Sequence, residues 1–213
     1  MIPNPATYCR SGLQAATAGD DSRPGGRSYL YVLMLLAGIS SVHASEFNQV
    51  QAEKSTVAFA YKQMGVPSEG KFRKFAAAVA FDPAKPSAAS ARIDIDLASI
   101  DTGSKEGDDE VMGKQWFHVK SHPQARFVSS AVKALGGNRY EVAGLLTIKG
   151  RSREVSAPFT FRREGAAAVF EGGFVLNRLD FAIGEGPWAD VGTVANEVRI
   201  NFYVVASAAP ARK

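Results

Sequence analysis

The sequence predicts an all-β protein, with eight antiparallel strands closed into a barrel and one or two short helices in the connection 101–122. Three observations carry this reading. Apolar residues recur at every second position in eight separate segments, the links between several of them are short and glycine-rich, and no long helical pattern alternates with the strands.

The eight segments are 55–62, 70–81, 91–99, 124–133, 139–149, 153–161, 167–176 and 196–206. In the third, Arg92, Asp94 and Asp96 alternate with Ile93, Ile95 and Leu97, so a strand there puts its charges on one face and its aliphatics on the other. Turn chemistry separates the segments: Gly65 with Pro67, Asp82-Pro83, Pro86, Gly136-Gly137-Asn138 and Gly150. The links through Gly136-Gly137-Asn138 and Lys149-Gly150-Arg151 are short enough to make hairpins of the fourth, fifth and sixth strands. Ser104 to Met112 runs from polar to apolar with capping residues at its start, which predicts a short helix. Closure into a barrel removes the exposed edges that an open antiparallel sheet would leave.

Residues 1–44 read as a separate segment. Arg23 and Arg27 precede an apolar run from Tyr29 to Ile39, and Val42 and Ala44 supply small residues where a signal peptidase cleaves. The run is about half the roughly 20 apolar residues that span a bilayer, which favours a cleaved export signal over a retained anchor. The expectation is a leader followed by one domain over 45–213, periplasmic or secreted, with no stable membrane insertion once the leader is gone. Cys9, the one cysteine, belongs to the leader, so the remainder offers no thiol for catalysis or disulfides. All 13 phenylalanines follow Ala44 and are available to a core.

Composition excludes several functions. An apolar content of 46% is too high for a disordered chain, and a net charge of +4 is too small to imply a nucleic-acid partner. The sequence contains no nucleophile elbow, no phosphate-binding loop and no dinucleotide fingerprint. His118 and His122, four residues apart, are the one pair that could hold a metal for hydrolysis, but Pro123 disfavours the helix that would align them and a solvated loop pair is the plainer reading. Asp94 and Asp96 share their face with Arg92, which fits a solvated surface better than an acid–base pair. No catalytic residue, cofactor or metal is assigned.

Strand alternation places Val57, Phe59 and Tyr61, then Phe75 and Val79, Ile93, Ile95 and Leu97, Tyr140, Val142 and Leu146, and Phe170 and Phe174 on one inward face. Trp188, after Gly184 and Gly186, is expected in a bent loop at the barrel mouth. Alanines and glycines interleave with the aromatics on that face, which suggests space along the axis, although a packed core is also consistent with it. These residues are the candidate ligand contacts. An exported barrel without catalytic groups points to carrying something; a metal-assisted hydrolase through His118 and His122, or an interaction module in a stress response, remain the alternatives.

The sequence also resembles the YceI-like family. The segments that carry the likeness are Gly70 to Phe75 leading to Val79-Ala80-Phe81-Asp82-Pro83, Ile93 to Gly103, Trp116-Phe117-His118-Val119 followed by His122 to Phe127, Tyr140 to Gly150, and Asn177 to Phe181 with Ile183-Gly184. Leu145 stands where many relatives carry an acidic residue, and Asp108 to Gly113 lacks a His-Leu-Arg often found there. The resemblance implies a lipocalin-like barrel whose apolar tunnel holds an isoprenoid chain, a quinone tail or a fatty-acid derivative, in a carrier or storage protein of the periplasm. Long-chain isoprenoid or another lipid is therefore the expected partner, nucleic acid is not, and association into a homodimer is left open.

Overall fold

The computed structural model describes residues 46–208, so the expected leader and its cleavage site lie outside the described residues. Eleven strands form one antiparallel sheet that curls around an apolar interior: β1 (Phe47–Val50), β2 (Thr56–Gln63), β3 (Val66–Phe72), β4 (Phe75–Ala80), β5 (Ser90–Asp96), β6 (Ile100–Asp101), β7 (Gln124–Gly136), β8 (Arg139–Ile148), β9 (Arg151–Glu164), β10 (Ala167–Asn177) and β11 (Glu197–Ala208). The order across the sheet is β4-β5-β7-β8-β9-β10-β11-β2-β3-β6, with β1 on β11. Hairpins join β7, β8 and β9 as the glycine-rich links require, and Lys149-Gly150 turns with both φ angles positive.

Eight strands is corrected to eleven. The segment 70–81 is not one strand but β3 and β4, separated by a corner at Arg73-Lys74. Buried Ser99 builds that corner: its hydroxyl accepts from the Lys74 amide at 2.9 Å and lies 2.6 Å from the Asp96 carbonyl, while the Arg73 amide donates to the Ser99 carbonyl at 2.9 Å. Opposite it, Leu97–Ser99 forms a 3-10 turn instead of continuing the strand, capped by Asp96 Oδ1 accepting from the Ala98 amide at 3.0 Å. Both partners bend together, so pairing resumes between β3 and β6 beyond the corner. Pro67 lies in β3 rather than in a turn; the turn is Met64-Gly65, again with both φ positive.

Curling brings β1 between distant parts of the sheet. It pairs with β11, and Phe47 exchanges both backbone hydrogen bonds with Phe81, just past β4, at 2.9 and 3.2 Å. One α-helix, α1 (Lys105–Val111), begins at Ser104, whose side chain accepts from the Gly107 amide at 3.0 Å. No helix among the described residues is long and apolar enough to cross a membrane.

The buried residues fall into two clusters along the interior. One, around Phe59, Phe72, Leu97, Trp116, Leu146 and Phe181, lies toward α1 and the loop 178–195. The other is an aromatic knot in which Phe81 meets Tyr140, Phe161 and Phe170 at ring separations of 5.1, 5.0 and 5.2 Å. Phe127 and Phe174 pack against both. Truncation of Phe81 to alanine removes the hub of the knot and is expected to cost about 3–5 kcal/mol, read as a lowered urea midpoint with an unchanged slope.

Candidate functional site

Between the two clusters runs a cavity of about 400 Å³ whose walls come from every strand from β2 to β11, with α1 and the two long loops at one end. Its surface is overwhelmingly aliphatic and aromatic, and its volume falls within the roughly 300–1,000 Å³ of small-molecule sites. Of the residues expected to face inward, Val57, Phe59, Tyr61, Val79, Ile93, Ile95, Leu97, Val142, Leu146, Phe170, Phe174 and Trp188 line it. Phe75 and Tyr140 do not. Phe75 sits at the start of β4 beside the Ser99 corner and packs against the first cluster from outside the cavity, and Tyr140 is stacked on Phe159 at 5.4 Å within the knot.

The space along the axis that the interleaving suggested is present as this cavity, but the glycines themselves are covered by rings. At Gly144 a Cβ would fall 2.7 Å from the Phe127 ring, and at Gly70 the same distance from Phe59 Cε2. Each glycine gives up its side-chain volume to an aromatic ring packed against the backbone, where any Cβ would collide with it. A β-bulge between Ser129 and Ala131 changes the parity of β7, so that Phe127 and Val132 both line the cavity although they are an odd five positions apart.

The end opposite the knot is held by two cations that sequence alternation does not reveal. Arg178, 1% exposed, follows β10 and has all five of its N–H groups engaged by backbone carbonyls. Nε donates to Ala195 at 3.1 Å, Nη1 to Ile183 and Gly184 at 2.8 and 3.1 Å, and Nη2 to Trp188 and Val194, both at 2.7 Å. Its guanidinium also lies 5.6 Å from the centre of the Trp116 ring. Burial alone pulls its pKa below the ordinary arginine value. Lys149, at the β8–β9 turn, donates to the Lys114 carbonyl at 3.0 Å, the Ala182 carbonyl at 2.8 Å and Glu185 Oε2 at 2.8 Å. The Gly184 and Glu185 amides both donate to the Gln115 carbonyl. Loops 112–122 and 178–195 are thereby tied to each other and to the sheet.

Other polar candidates stand apart from this end. His118 and His122 share a turn, half-buried rather than fully solvated, with ring centres 5.8 Å apart and His118 Nε2 3.1 Å from Ser121 Oγ. No group of three or more His, Cys, Asp or Glu is placed to hold a metal among the described residues. Asp94 is not freely solvated: it pairs with Arg92 and Arg126, and the hydrogen bond from Arg92 leads in holding its carboxyl below the usual aspartate range. Asp96 is occupied as the turn cap, so the two carboxylates do not act on one centre.

The described residues define a barrel-like, nearly all-β protein whose curled sheet encloses an apolar cavity. The YceI-like domain matches residues 49–206, and the chain belongs to that family. It is 33% identical over 135 residues to a UPF0312 protein of Azotobacter vinelandii, covering 61% of this chain and 68% of that one, and 35% identical over 125 residues to one of Pseudomonas syringae pv. tomato, covering 55% and 65%. The match thus spans about two thirds of the curated relatives' length. Among solved structures, Burkholderia cenocepacia BcnA is 48% identical with a TM-score of 0.73, covering 75% of this chain and all of that one. A polyisoprenoid binding domain from Saccharophagus degradans implicated in plant cell wall breakdown shares the fold at 13% identity and a TM-score of 0.58, covering 77% and 99%. The outward departure from the family pattern, Leu145, pairs with exposed Val128 on the outer face and does not line the cavity.

Two outcomes follow for this end of the molecule. Arg178→Lys reduces five donors to three and leaves buried carbonyls without partners, so a loss of about 3–5 kcal/mol in urea unfolding is expected, comparable to breaking a buried ion pair. The hydrogen bond from Lys149 leads in holding the Glu185 carboxyl below the usual glutamate range, so its contribution is present above the unfolded value near ~4.3 and disappears as pH falls through the folded one. The difference in urea midpoint between wild type and Glu185→Gln is expected at pH 7 and to close once pH has fallen through the depressed folded value.

Proposed function

We propose that the chain is an exported carrier or storage protein that holds one long apolar lipid, a polyisoprenoid, an isoprenoid quinone or a fatty-acid derivative, in the cavity between the Trp116 end and the aromatic knot. The observation that carries this reading is the cavity itself: inward faces from ten strands meet around space instead of around side chains. A core of this size could have been filled by larger aliphatics, and unfilled apolar volume forfeits packing energy. An apolar chain recovers that energy at about 0.8 kcal/mol per buried methylene, without any catalytic group.

The likeness of fold to a polyisoprenoid binding domain supports the same class of ligand, and family membership points to a binding protein. Export rests on the leader pattern in residues 1–44. Lodging the chain in the interior needs no metal or cofactor, since the affinity comes from the surface removed from water.

Native purification followed by organic extraction and mass spectrometry is expected to recover a long-chain lipid in near-stoichiometric amount. Val198 and Ile200 line the cavity from β11 and are only partly buried, so Val198→Phe with Ile200→Phe fills the space with the fold intact. That double variant is expected to unfold at a similar urea concentration and to return little or no lipid. Equal lipid recovery from the filled variant and the wild type would contradict the reading.

A further inference from the structure

We infer that the cavity selects lipids carrying a neutral hydrogen-bond acceptor, a carbonyl oxygen of a ketone, quinone, ester or amide, and that the Trp116 indole N–H is the group that receives it. The inference rests on the carrier reading above and adds to it the chemistry of the ligand's polar end.

Trp116 is 92% buried, lines the cavity, and packs on Trp188 with ring centres 5.4 Å apart. Its Nε1–H is the one buried side-chain polar atom that finds no acceptor among the described residues. Indole nitrogen donates and cannot accept, so the missing partner is an acceptor. The two cations that hold this end are already engaged. The five N–H groups of Arg178 go to five carbonyls, and Lys149 goes to two carbonyls and Glu185. The Arg178 guanidinium over the ring draws π density away from the indole and sharpens Nε1–H as a donor.

The same inventory argues against an anionic head. The charged residues that line the cavity are Glu110, Arg126 and Arg178. Arg126 is paired with Asp94, Arg178 has no free N–H, and Glu110 repels a phosphate or carboxylate. Taking a phosphate out of water costs far more than taking out a carbonyl, which a single donor satisfies.

The test uses the full-length chain, labelled with ¹⁵N and stripped of lipid, and three probes: 2-heptadecanone, 1-heptadecene and hexadecyl phosphate. The two tryptophans give two indole signals, assigned with Trp116→Phe and Trp188→Phe. The ketone is expected to move the Trp116 indole proton downfield and to bind about fivefold to tenfold tighter than the alkene, as one added hydrogen bond allows, with the phosphate weakest. In Trp116→Phe the ketone and alkene are expected to bind alike. If that variant does not fold, the indole shift in the wild-type chain still decides. Ketone and alkene binding equally with an unmoved Trp116 signal, or phosphate binding tightest, would overturn the inference while leaving the apolar carrier standing. Binding of none of the three would remove the carrier reading and this inference with it.

Discussion

The buried guanidinium of Arg178 is the interaction on which the open end of this molecule depends. A sheet curled around a cavity has no solid core to hold its loops in place, and the loop 178–195 carries glycines with left-handed backbone at Gly184 and Gly186 that gain nothing from regular pairing. Arg178 converts that loop into a fixed structure by collecting carbonyls from Ile183, Gly184, Trp188, Val194 and Ala195 around one planar cation. A lysine offers too few donors, and a carboxylate partner would have left the carbonyls unmet. The charge is buried without a counter-ion, tolerable because five carbonyl dipoles and the Trp116 face replace water.

From that anchor the rest of the interior can be understood as a division of labour. The Phe81 knot supplies the dense packing that a domain of this size requires, and it sits at one end. The Arg178 and Lys149 networks hold the other end with hydrogen bonds instead of apolar contacts. The stretch between them is free to remain a cavity. Phe59 and Phe127, packed over Gly70 and Gly144, then supply apolar wall to that cavity.

Much of this was legible in the sequence, and what was not has identifiable causes. Period-two alternation located the long strands β7 to β11, since ten or more residues of one pattern outweigh local turn chemistry. It could not locate β1 or β6, which are four and two residues long and are strands only because distant partners pair with them. It ran through the Arg73-Lys74 corner although Phe72 and Phe75, three apart, break the period of two there; the hydroxyl of Ser99, 25 residues from Lys74, fastens the bend. The same counting placed most inward residues on the cavity wall; Phe75 and Tyr140 also face inward but pack within the clusters, as alternation gives a face and not a depth. Arg178 and Lys149 were missed for a different reason. A base beside Leu179 and Phe181 looks like surface charge until the carbonyls gather around it, and the one available signal was its place in the Asn177 to Phe181 segment that resembles the family.

The central claim is that the cavity between Trp116 and the Phe81 knot is a binding space and not a packing fault. A crystal structure of protein purified without detergent or added lipid tests it most directly. The account predicts continuous electron density for one chain running past Phe127 and Phe174, with its polar end near Trp116. Side chains collapsed into the axis, with no space for a chain between the two clusters, would contradict it.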